Sequence, residues 1–189
     1  MSRAYRIRVK ERLSQDLSAS DEVCADLEVL EILPGDQMAE LLSKELKARG
    51  FEEKDGELIR SKDGVTVIVD PNSGKVSVRA EKEEKVELET EKEGWGYDDV
   101  GPQGQQIRRQ LSEQAKAELE RRSQRQQERL QGEATEQLEK VMGDVRKELS
   151  DAVNAVTREA LKQKAAQLGQ IKEMTEDPEA GSLTIKVEV

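Results

Sequence analysis

The chain has 189 residues, of which 38% are charged and only 2% aromatic, and its formal net charge is −10. So little aromatic and so much charged material excludes a large compact core, and the negative balance disfavours electrostatic binding to nucleic acid or anionic membranes. With no histidine and a single cysteine, Cys24, the sequence also excludes Ser-His-Asp and Cys-His triads, a structural zinc site and an internal disulfide.

The opening residues alternate, with Tyr5, Ile7 and Val9 on one side and Arg6, Arg8 and Lys10 on the other, the period of a strand buried on one face. They form no hydrophobic signal segment, and no later run approaches the roughly 20 apolar residues of a membrane span. A reducing cytoplasm is the expected location. After a polar stretch ending at Asp21, Val23, Ala25, Leu27 and Val29 repeat the same period and predict a second strand. Cys24 falls on the opposite face and reads as a small hydrophobe.

Pro34 suits the first turn of a helix from about 35 to 49, on which Met38, Leu41, Leu42 and Leu46 share one face. Gly50 stops it, and Phe51 is placed to pack back on its end. A β-meander follows: Leu58 and Ile59, a turn at Lys62-Asp63-Gly64, Val65 to Val69, a turn from Asp70 to Gly74, then Val76 and Val78. From Glu81 to Glu93 there are seven Glu and three Lys, yet Val86, Leu88 and Thr90 still alternate, which suits an edge strand guarded by charge. Residues 1–93 are thus expected to form an α+β base: a small, mostly antiparallel sheet with one packed helix.

Residues 94–102 break all periodicity and read as a linker holding Trp95 and Tyr97. This aromatic pair suits either docking to a partner or capping the core where sheet meets helix. From 103 to 168 helix formers run without a proline. Leu119, Leu130, Val141 and Ala152 recur every eleven residues, as do Ala134, Val145 and Val156, and this near-straight stripe predicts a coiled-coil arm. The run from Arg121 to Arg129 has no apolar residue, and Gly132 follows. A helical hairpin with its tip near 121–133 is preferred over one continuous helix of about 100 Å, because it carries the tail back to the base. In that tail, 169–189, Ile171 to Thr175 and Leu183 to Val189 flank a turn at Asp177-Pro178 and predict a β-hairpin that rejoins the base sheet. A dimer exchanging tails is the alternative.

Arg122, Arg125 and Arg129 share one helical face that suits phosphates or an acidic protein surface, against the plainer reading of a solvated face paired with the acidic strand. No aromatics are interleaved for base stacking, so nucleic acid is the weakest reading. Val141, Val145, Leu149 and Val156 offer an apolar face to a partner if the opposing arm leaves them uncovered. Asp98 and Asp99 lack the graded spacing of a calcium loop. Carboxylate pairs such as Glu118 and Glu120 have nothing apolar around them, and no glycine-rich phosphate loop occurs. No metal, cofactor or enzymatic activity is expected.

The segments Ser2 to Val9, Leu27 to Pro34 with its following helix, and Asp63 to Asp70 resemble small accessory proteins of bacterial ternary conflict systems. Those systems pair uncharacterised domains with FtsH- or MoxR-type AAA+ ATPases and von Willebrand A proteins. The resemblance covers chiefly residues 1 to 80 and the helix-glycine-hairpin tail. It implies an adaptor to an AAA+ machine, and it carries over no catalytic residues. The reading that follows is a non-catalytic adaptor or scaffold subunit, with a homo-oligomeric coiled-coil protein as the first alternative and an Arg-stripe nucleic-acid binder as the second.

Overall fold

The computed structural model describes residues 4–97, 101–177 and 182–188. Asp98, Asp99, Pro178 and Val189, on which expectations above rest, lie outside them. In chain order the elements are β1 (Tyr5–Asp26), α1 (Gly35–Ala48), β2 (Glu52–Lys54), β3 (Glu57–Lys62), β4 (Val65–Val69), β5 (Lys75–Gly96), α2 (Pro102–Leu168), β6 (Gln170–Asp177) and β7 (Ser182–Glu188). The first five strands form one sheet in the order β1-β5-β4-β3-β2, and β6 pairs with β7 in a sheet of its own. The architecture is α+β, as expected. The chain divides into two units, one of residues 1–21 and 81–136 and the other of 22–80 and 137–189. β1, β5 and α2 pass from one into the other.

In the second unit the meander forms as its turn chemistry dictates. Asp63 and Gly64 both take positive φ, 52° and 75°, which is the type I′ geometry that Asp-Gly favours between antiparallel strands. An equivalent turn at Asp55-Gly56 joins β2 to β3, an element the sequence reading passed over. Val65, Val67 and Val69 of β4 and Val76, Val78 and Ala80 of β5 turn their buried face to Met38, Leu42 and Leu46 of α1 and to Leu138, Leu149, Ala152, Val156 and Ala160 of α2. Phe51 closes this core beside the helix end, with its N–H donated to the Leu46 carbonyl at 3.1 Å.

The first unit is a two-stranded ribbon, the first part of β1 against the last part of β5, lying on α2. Ion pairs run Arg6 to Glu93, Arg8 to Glu91 and Glu93, Lys10 to Glu89 and Glu91, and Arg12 to Glu89. The partner number falls as the first rises, the signature of an antiparallel pair. Its apolar cluster is small: Leu17, Ala19, Val86 and Leu130, with Leu88 beside them. Ile7, Leu111, Ala115, Leu119 and Ala134 are buried as well, and polar contacts supplement them. Ser112 bonds Glu11, Ser123 bonds Gln15 and Thr135 bonds Asp21.

Three expectations are corrected. The two predicted N-terminal strands are one, because the polar stretch between them keeps its alternation through Leu17 and Ala19. The helical hairpin is replaced by a single unbroken helix of 67 residues. Gly132 lies exposed inside it with open space around its Cα, where it costs only about 1 kcal/mol. The eleven-residue stripe meets strands and α1 instead of an opposing arm, since a periodicity fixes which face is buried but not what buries it. Finally, β6 and β7 pair with each other and join no strand of the base sheet among the described residues.

Candidate functional site

On the outward face of the ribbon, alternation puts Arg6, Arg8, Lys10 and Arg12 opposite Glu89, Glu91 and Glu93, and the ion pairs above neutralise both rows. Where the charges end, the same face of β5 continues with Trp95, and Tyr97 follows just past the strand end; they are 66% and 69% exposed. Neither caps a core. Gly94 between them and the ladder lets the strand approach α2 closely: a Cβ there would lie 3.1 Å from Leu111 and 3.2 Å from Ile107. The ribbon end is thereby held against the helix, with its two large aromatics turned to water.

The arginine row is largely engaged. Arg122 pairs with Glu118, which also receives Lys92 from β5. Hydrogen bonding from Lys92, with Arg122 adding its charge, holds the Glu118 carboxyl below the usual range. Arg129 pairs with Glu133 and with Glu84 of the acidic strand, and Arg125 is exposed. Two of the three arginines are thus held by the chain's own carboxylates.

Val145, Leu149 and Val156, expected to await a partner, are buried in the second unit's own core, and Val141 packs partly buried against it. The unit's own strands and α1 cover most of this stripe, while Val145 and Leu149 also border an open groove.

Beside that core runs an open groove of about 480 Å³. Its floor is Val76, Val78, Val145 and Leu149. One wall is the end of β1, with Val23 and Ala25, and the other is α2, where Met142, Arg146, Ser150 and Asn154 recur every four residues. Across the same unit, Glu148 grips Arg60 through two bonds of 2.5 and 2.6 Å. The Arg60 guanidinium also lies 4.5 Å from the Phe51 ring centroid and donates to the Arg49 carbonyl at 3.3 Å. This hydrogen bonding from Arg60, helped by its charge, pulls the Glu148 carboxyl below its ordinary value. α2, β3 and the end of α1 are thus fastened by one bidentate pair.

A family model, the FtsH ternary system domain X5, matches residues 1–189. The chain belongs to that family. No curated protein and no solved structure matches it. Membership reaches beyond the segments that carried the sequence resemblance, taking in the whole of α2 and the charged half of β5. An accessory role in an FtsH ternary system is compatible with it. Among the described residues of this X5 domain, no helix is long and apolar enough to cross a membrane.

Sequence reasoning singled out Trp95 and Tyr97 but missed the groove, the Arg60–Glu148 clasp and a pair of glutamines that bond β1. Gln127 and Gln131 of the X5 domain donate to the carbonyls of Ser18 and Ser20 at 2.6 and 3.0 Å. Their spacing of four, at and just past the end of the run that lacks apolar residues, was the one available signal that this helical face meets something polar. Glu148 is one of many helical glutamates and carried no signal.

Proposed function

We propose that this X5 domain is a non-catalytic adaptor that docks onto a protein component of its FtsH ternary system through the aromatic end of β5. The observation that carries the reading is the exposure of Trp95 and Tyr97. The chain has four aromatic residues, and two of them stand in water at one strand end while Phe51 alone fills the core. Large rigid aromatics anchor interfaces because each buries much apolar area at low entropic cost. The neutralised charge ladder beside them suits a polar rim around such an anchor. The absence of histidine supports a role without acid–base chemistry.

The AAA+ ATPase of the same system is the proposed partner, and its co-purification with the full chain is the test. Trp95→Ala is expected to weaken binding by about 2 kcal/mol or more, roughly thirtyfold in Kd, with Tyr97→Ala following in the same direction. Arg125→Ala should leave binding unchanged. Full retention of the ATPase by the Trp95→Ala, Tyr97→Ala double variant would sink the reading.

A further inference from the structure

We propose that the groove of the second unit is the seat of a strand from a second copy of this chain, namely β7. The backbone of β1 supplies the first half of the argument. In an antiparallel strand a residue's N–H and C=O point to the same side and alternate residues point to opposite sides. The Ser18 and Ser20 carbonyls, which accept from Gln127 and Gln131, therefore mark the even-numbered residues as facing the outer edge. The Leu27 N–H, donated inward to the Gly74 carbonyl at 2.7 Å, marks the odd ones as facing the sheet. By this parity the N–H and C=O of Cys24 and Asp26 point outward, and β1 is the end strand of the sheet, with β5 on its inner side and, among the described residues, no strand on its outer side. Along Ser18 and Ser20 the helical glutamines cap that edge. Along Cys24 and Asp26 the groove takes their place, with an apolar floor below the strand.

The second half is the hairpin. Ile171 lies opposite Val187 and Met174 opposite Ile185, so these four, with Leu183, share one face. Lys186 with Glu173 and Lys172 with Glu188 form ion pairs away from it. An isolated two-stranded hairpin is marginal in water and needs a further strand or an apolar surface. β7 offers what the groove lacks: a strand of seven residues with one edge unpaired among the described residues and apolar side chains at alternate positions. Paired along β1, it directs Leu183, Ile185 and Val187 onto the floor of Val76, Val78, Val145 and Leu149. Lys186 then falls on the opposite sheet face, the one that carries Asp26. Gly169 lets the end of β7 approach the junction of α2 and β6 closely, because a Cβ there would collide with the backbone of Glu188. Two copies exchanging hairpins would satisfy both grooves by one two-fold operation, the closed arrangement most homodimers use.

The test is the mass of the full chain by in-line light scattering over two decades of concentration, with two variants that disable opposite halves of the contact. Cys24→Pro removes the outward N–H at an edge position, where proline is tolerated, and Ile185→Arg puts a charge on the apolar face of β7. Circular dichroism and the thermal midpoint check that each remains folded. The expected result is twice the 21.2 kDa of one chain, falling twofold for each variant. Cys24→Ser stays dimeric, and dimer returns when the two variants are mixed, since one reciprocal contact is then intact. A single-chain mass at every concentration, or a dimer that survives both variants, overturns the proposal. Neither outcome bears on docking through Trp95, which is read by ATPase co-purification.

Discussion

The two units use the same three elements, β1, β5 and α2, in opposite ways. In the second unit the elements meet through valine, leucine and alanine, buried together with α1. In the first a thin row of buried apolar residues, Ile7, Leu111, Ala115, Leu119 and Ala134 with the Leu17–Ala19–Val86–Leu130 cluster, is joined by bonds from serine, glutamine and threonine and by ion pairs. Apolar burial contributes about 25 cal/mol per Å², whereas a hydrogen bond nets about 1 kcal/mol and an exposed ion pair about 0–1 kcal/mol. The larger contribution from apolar burial therefore lies in the second unit, whose one cluster joins its strands to both α1 and α2. A ribbon that ends in two exposed aromatics suits presentation to a partner, because its own fold leaves them in water.

The largest effect expected from this contrast is in the core. Leu58, wholly buried in the second unit, should cost about 3–5 kcal/mol on truncation to alanine, and Leu130 of the first unit about 2 kcal/mol. Urea titrations of the two variants make the comparison. Equal losses would erase the distinction between the units.

Glu148→Gln should cost about 1.5 kcal/mol, the lower end for a hydrogen bond to a charged group because the pair is a quarter exposed. The folded carboxyl is held below its unfolded value, so its contribution is full above the ordinary glutamate range and is lost as pH falls through the folded value. The stability gap between wild type and variant should accordingly close on acidification. A gap that widens in acid would contradict the clasp. The smallest effect belongs to the charge ladder: Arg8→Ala should cost less than about 1 kcal/mol, and less still at high salt, by the same urea titration.

Much of this contrast was legible in sequence, and what was not has physical reasons. The Pro34-to-Gly50 helix, the Asp63-Gly64 turn, the valine alternation of β4 and the helical character of 103–168 all follow from local rules that tertiary packing did not override. β1 was split in two because Ser14, Gln15, Asp16 and Ser18 dilute its alternation, and its helix-facing side includes polar groups that the helix satisfies with hydrogen bonds. The unbroken α2 was read as a hairpin because the run from Arg121 to Arg129 lacks apolar residues. That run faces carboxylates and strand carbonyls, so the helix needed no turn there. Of the site, Trp95 and Tyr97 stood out by their rarity. The groove depends on where a strand edge loses its glutamine caps, which no local pattern records.

Hydrogen exchange on the full chain, alone and with the AAA+ ATPase of its system, tests this division of labour most directly. The account predicts the slowest amides in Val65–Val69 and from Leu138 to Ala160, unbroken helical protection through Gly132, and new protection around Trp95 when the ATPase is added. A fast-exchanging break between 121 and 133, or protection by the ATPase confined to the second unit, would contradict it.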